Sequence, residues 1–179
     1  MNQPQLLSIS RNHKWSNLPT SSGVYWWYFP PTALEQLRIS EFCNVEKLKL
    51  RTALDGRICL YHGLAKNLAQ RVEWHAAQKL TFSCLESGFL STFRLTLLAL
   101  NEIDYSGGDV EINNYFDDLS LSWKSTNTRE EAELIERSEL HGEYHYPLNI
   151  QGNKRPELLN YINLLKVIRK NYKRRNIYL

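Results

Sequence analysis

The sequence predicts an α/β fold of the α+β kind, a small, mainly antiparallel sheet with helices packed on it. Three observations carry this. A β-branched and aromatic run at 24–29 lies between Ser21-Ser-Gly23 and Pro30-Pro31, an Asp55-Gly56 dipeptide joins two strand-like runs as a hairpin, and helical periodicities alternate with the strands.

In order, Val24-Tyr-Trp-Trp-Tyr-Phe29 is the first strand. Thr32 with Glu35 three residues on has the form of a capping box and predicts a short helix over 32–39. Strands at 45–51 and 57–62 flank the Asp55-Gly56 turn. Asn67 with Gln70 opens a helix to about 79, in which Leu68, Val72 and Ala76 recur at helical spacing. The run 90–100 is too long and Leu-rich for a strand and reads as a buried helix, and Gly107-Gly108 marks a loop. Alternation at 119–124 predicts a half-buried strand, Thr128 with Glu131 caps a helix over 129–140, and Pro156 opens a last helix over 156–172.

With 179 residues, 42% hydrophobic and 23% charged, the chain is sized for one core, so a single domain over 1–179 is expected, its centre at 21–150. No apolar run is long enough to span a membrane and no leader pattern opens the chain, which predicts a cytoplasmic protein. Cys43, Cys59 and Cys84 are odd in number and lack CxxC spacing, excluding a disulfide framework or zinc site and reading as reduced core residues. The net charge of +3 is unevenly spread. Residues 154–175 carry eight Lys or Arg against Glu157, a net of +7, whereas 102–118 hold six acids and no base. The first is a candidate nucleic-acid contact and the second a candidate solvated loop.

Gly23-Val-Tyr25 and Tyr61-His-Gly63, followed by Arg71 and His75 one helical turn apart, then Glu131-Ala-Glu-Leu-Ile-Glu136 and Pro147-Leu-Asn149, resemble the ordered signature of the GIY-YIG nuclease superfamily. The resemblance runs over residues 23–149. It implies three antiparallel strands flanked by helices, with Tyr25, Tyr61, Arg71, His75 and Glu136 on one face, Glu136 holding the metal and Asn149 in support. In isolation each of these residues reads as something plainer: a core aromatic, a surface cation, a solvated acid.

The residue types suit phosphodiester hydrolysis, which needs an activated water, a base, and positive charge for the developing phosphate oxyanions. One carboxylate suffices for Mg²⁺, with Mn²⁺ as a substitute, because that hard ion keeps waters and takes substrate oxygens. Arg71 offers a charged fork for phosphate. Tyr25 and Tyr61 both remain candidates for the base, with Tyr25 preferred, and His62 and His75 positioning water or tuning the phenol. His141 and His145 have the spacing of helical metal ligands, but Gly142 intervenes and no third ligand is near, so they read as structural or substrate-edge polarity.

Thirty-five residues separate Tyr25 from Tyr61, and sixty separate His75 from Glu136. Insertions of this kind, with Ser91-Thr-Phe-Arg94, are similar to those of the larger GIY-YIG type II restriction endonucleases. That likeness implies a site-specific enzyme on double-stranded DNA, with Arg94, Lys154, Arg155, Arg169, Lys170 and Lys173 as phosphate contacts. It also implies a homodimer for a palindromic site and a cognate DNA methyltransferase. The alternatives are a loosely specific nuclease of mobile-element, repair or anti-phage role, and a catalytically idle DNA-binding module.

Overall fold

The structure, a computed structural model, describes residues 2–177. Its elements in chain order are β1 (Gln5–Leu6), α1 (Leu7–Asn12), β2 (Gly23–Phe29), α2 (Ala33–Gln36), α3 (Ile39–Phe42), β3 (Ile58–Ala65), α4 (Leu68–Ala77), α5 (Phe82–Ser87), α6 (Thr92–Leu100), α7 (Asp109–Asp117), β4 (Ser120–Ser125), α8 (Arg129–His141) and α9 (Leu159–Ile177). One antiparallel sheet runs β1-β4-β2-β3. It has four strands rather than the three expected, the fourth being the two-residue β1 at the edge.

β2 is buried at all seven positions because strands flank it on both edges and helices cover both faces, which is why its sequence is apolar without alternation. Tyr25, Trp27 and Phe29 face the larger core with Phe93 and Phe116, while Val24, Trp26 and Tyr28 face a smaller cluster closed by Ala132 of α8 and Tyr146. Helix starts behave as their polar residues dictate: Asn67, Ser91 and Thr128 side chains accept from the backbone N–H of Gln70, Arg94 and Glu131 at 3.0, 3.2 and 3.2 Å.

Several local expectations fail for identifiable reasons. The helix over 32–39 is two single turns, split where Arg38 takes a left-handed conformation (φ 61°), and the Thr32 hydroxyl makes no cap bond. The strand over 45–51 does not form. Asn44 instead caps one 3₁₀ turn at Val45–Lys47, and the Asp55-Gly56 turn closes only a Thr52–Ile58 bridge. β3 has β2 as its full-length inner partner, and its outer edge is covered piecemeal. Arg51 O accepts from Cys59 N–H, Leu60 O accepts from Leu148 N–H, and the Asn149 side chain brackets His62, accepting from its N–H at 2.9 Å and donating to its C=O at 2.8 Å.

The acidic stretch is only partly a solvated loop, with Glu102, Asp104, Glu111 and Asp118 exposed. It contains α7, whose Asp117 pairs with Arg11 at 2.6 Å and whose Asp109 lies 3.6 Å from Arg94. α5 also went unpredicted. Cys43 and Cys59 are buried and all three cysteines are free.

Candidate active site

Strand alternation and register assemble the first half of the site. Tyr25 pairs with Gly63 and Trp27 with Tyr61, so both tyrosines point to the same face of the sheet. Their ring centroids are 6.4 Å apart. Gly63 is required by this packing: a Cβ there would stand 2.6 Å from the Tyr25 hydroxyl oxygen. His62, one residue before, therefore faces the opposite side. It is buried against Trp26 and Tyr146 with no partner for either ring nitrogen among the described residues. It cannot position water at the tyrosines, contrary to expectation.

α4 supplies the second half. Arg71 and His75 lie one turn apart on its inner side. Tyr25 Oη is 2.7 Å from His75 Nε2, and His75 Nδ1 is 2.5 Å from Ser91 Oγ. Ser91, the cap of α6, is the partner that sequence reasoning missed; its only signal was its place in the Ser91-Thr-Phe-Arg94 segment. Tyr61 stacks on Phe93 with centroids 4.1 Å apart, and the Arg71 guanidinium lies 4.6 Å from the Trp74 ring centroid.

α8 brings Glu136. Its angular setting is held by Glu139, three residues on, which accepts twice from Arg51 (2.7 and 2.8 Å) and once from the Tyr146 hydroxyl. Tyr25, Tyr61, Arg71, His75 and Glu136 line one cavity of about 230 Å³. It adjoins a cleft of about 820 Å³ that shares Tyr61 and Glu136 and is walled by Asn149, Lys166 and Arg169. A further hollow of about 570 Å³ lies along α4 and shares Arg71 and Trp74.

Burial dominates the electrostatics. It raises Tyr25 well above its ordinary 10, with the neighbouring Tyr61 adding to it, and pushes Tyr61 up to about 12. Burial also raises Glu136, as does Glu133 nearby. Among the described residues Glu136 has no ion pair or hydrogen bond, and no group of three His, Cys, Asp or Glu is gathered to hold a metal. A half-buried, unpaired carboxylate beside phosphate-sized space fits a divalent cation completed by water and substrate oxygens.

His62 and His75 are held neutral, pushed from 6.5 down to about 3 by burial first and then by Arg51 and Arg71 respectively. The unfolded chain thus binds two protons below pH 6.5 that the folded protein refuses. Stability is full above pH 6.5 and is lost as pH falls toward 3, each histidine adding a slope of about 1.4 kcal/mol per pH unit. Thermal melts between pH 7 and 4 should record the fall, and His62→Phe should remove about half of it. A melting temperature independent of pH would contradict both assignments.

Not every expected phosphate contact reaches this cleft. Arg94 is fully buried, its guanidinium donating to His75 O, Ala76 O and Asn113 Oδ1, so it caps the C-terminal carbonyls of α4 and cannot meet DNA. Arg94→Leu should cost about 3 kcal/mol or more in denaturant unfolding, because His75 O and Asn113 Oδ1 lose this donor and Ala76 O keeps only Arg11. Unchanged stability would show that they had never depended on it. Arg155 is committed to the carbonyls of Gly142 and Tyr144. Lys154 is exposed on the loop before α9. Arg169, Lys170 and Lys173 share one face of α9 with Lys166. Asn149 touches the β3 backbone and is a positioning residue. His145 is buried and bound to the Lys49 backbone, which makes it structural.

A family model described as a GIY-YIG catalytic domain matches residues 23–171, from the first residue of β2 into α9. No curated protein and no solved structure matches the chain.

Proposed function

The chain belongs to the GIY-YIG catalytic domain family and is an endonuclease, and from that premise we propose that it is a site-specific type II restriction enzyme acting on double-stranded DNA with Mg²⁺, for which Mn²⁺ substitutes. One observation carries the chemistry: two tyrosines, an arginine, a histidine and an unpaired glutamate from four elements line one small cavity.

The reaction follows from these side chains. Glu136 would hold the cation, which when bound would supply positive charge to the phosphate oxygens and favour deprotonation of the attacking water. Arg71 forks onto the scissile phosphate and stabilises the charge that develops there. Burial keeps both phenols protonated until positive charge enters beside them. That charge lets Tyr25 release its phenolic proton to solvent and then take the proton of the attacking water, whose oxygen bonds to phosphorus as the P–O bond to the departing alkoxide breaks and the alkoxide takes its proton from solvent. His75 stays neutral and orients the phenol through Nε2, 2.7 Å from Tyr25 Oη, its ring fixed in turn by Ser91 Oγ at Nδ1. Tyr61 lines both cavities and packs beside the phosphate.

The restriction role is supported by the two inserted segments, which add α2, α3 and α5 to α7 to the domain, α6 supplying Thr92, Phe93 and Thr96 to the cleft. It is also supported by the basic face of α9, suited to backbone phosphate. Cytoplasmic location, a homodimer and a cognate methyltransferase belong to the same proposal. No helix among the described residues is long and apolar enough to cross a membrane.

Incubation with supercoiled plasmid and Mg²⁺ or Mn²⁺ should yield discrete fragments, with EDTA abolishing cleavage and added Mg²⁺ restoring it. A smear would favour the loosely specific nuclease. Intact but bound plasmid under all metals would favour the idle module.

A further inference from the structure

We propose that the larger cleft seats the phosphate next to the scissile one, gripped by Arg169 with Lys166 beside it, so that the cut strand lies between two guanidinium groups. This rests on the nuclease reading given above.

The two cavities share Tyr61, Leu64, Thr92 and Glu136, which makes them one continuous trough. Arg71 lines only the smaller chamber, and Arg169, Lys166 and Arg129 only the larger, Arg129 being already paired with Glu133 at 2.8 Å. The trough thus carries positive charge at both ends and its one carboxylate, Glu136, in the shared middle. A single phosphate fits the chamber of about 230 Å³, while the chamber of about 820 Å³ has room for the nucleotide that follows.

Arg169 is half-buried and, among the described residues, makes no ion pair and no hydrogen bond. Burial without a partner disfavours its charged form, as its lowered pKa reflects. A desolvated cation left unpaired costs stability until an anion arrives, and the planar fork of arginine matches a phosphate. Its mounting is fixed. Tyr161 and Tyr172 on the buried face of α9 donate to Leu37 O and Ile103 O at 2.7 Å each, which sets the helix and turns the 166, 169, 170 and 173 positions toward the trough and the surface beyond it. Lys170 and Lys173 continue the stripe outward, marking where the strand leaves. The matched family span extends to residue 171 and so includes Arg169.

The test uses the full chain, a fluorescent duplex containing the mapped cut site, and Arg169→Ala and Arg169→Lys proteins whose melting matches the parent. Binding is measured across salt concentrations with Ca²⁺, and single-turnover cleavage with Mg²⁺ at saturating enzyme. Arg169→Ala should lower the saturating rate roughly tenfold to a hundredfold and reduce the slope of log K against log salt by about one. Arg169→Lys should restore the slope but only part of the rate, because a point charge does not hold the phosphate in register. Parent cleavage with an Arg169→Ala protein unchanged in rate and slope overturns this assignment alone. A reduced slope with an unchanged saturating rate overturns it too, placing Arg169 on a distant phosphate. A parent that cuts nothing under any metal overturns the nuclease reading and this inference with it.

Discussion

Glu136→Gln should abolish cleavage with every divalent ion, a loss of at least about a thousandfold, while the protein melts no lower than the parent. Glu136 is the one carboxylate lining the cavity, and Glu133, one turn before it, is exposed and paired with Arg129 at 2.8 Å, so it does not take over the cation. The stability half follows from its raised pKa, caused by burial and then by Glu133. A carboxyl raised in the fold favours the folded state when protonated, and that contribution is lost as pH rises above its ordinary 4.5. Replacing the ionised form with a neutral amide at pH 7 therefore leaves melting equal or higher, with the difference vanishing in acid. Gel time courses and thermal melts at pH 7 and pH 4 check both halves. Cleavage near the parent rate would mean that the cation is held elsewhere.

Arg71→Ala should cost about a thousandfold in single-turnover cleavage, within the range for arginines that stabilise phosphoryl-transfer charge, and Arg71→Lys should recover little of it. Melting should barely change, since Arg71 is half-exposed and contributes only a cation–π contact with Trp74, worth about 0.5–1 kcal/mol. Arg94 is the reverse case, with large stability effects and no approach to substrate. Measuring both variants for rate and unfolding tests the division directly; a large loss of stability at Arg71 would overturn it.

The grouping of Tyr25, Tyr61, Arg71, His75 and Glu136 in one cavity was legible because much of its geometry is local. Alternation along a strand puts Tyr61 and Gly63 on one side, and four-residue spacing puts Arg71 and His75 on one helix face. What escaped was decided by tertiary partners. Ser91 meets His75 across sixteen residues, and nothing in Ser91-Thr-Phe-Arg94 announces that its arginine closes the end of another helix. Asp109 and Asp117 looked as solvated as the other acids of 102–118 because nothing local shows that they meet Arg94 and Arg11. The strand at 45–51 satisfied the pattern for pairing, but the outer edge of β3 is taken instead by Arg51 O, Leu148 N–H and the Asn149 side chain.

The way Asn149 brackets His62 also bears on how the protein meets copies of itself. β3 is the outermost strand, and an outer strand with open amides and carbonyls is a template onto which another chain can add, the first step toward filaments. Here Arg51, Leu148 and the Asn149 amide occupy that edge from residue 59 to 62, and the opposite edge is only two residues long. Over those residues no further strand can add. Under the dimer proposed above, two copies would dock through helices and loops, and concentrated protein should resist growth into β-fibrils.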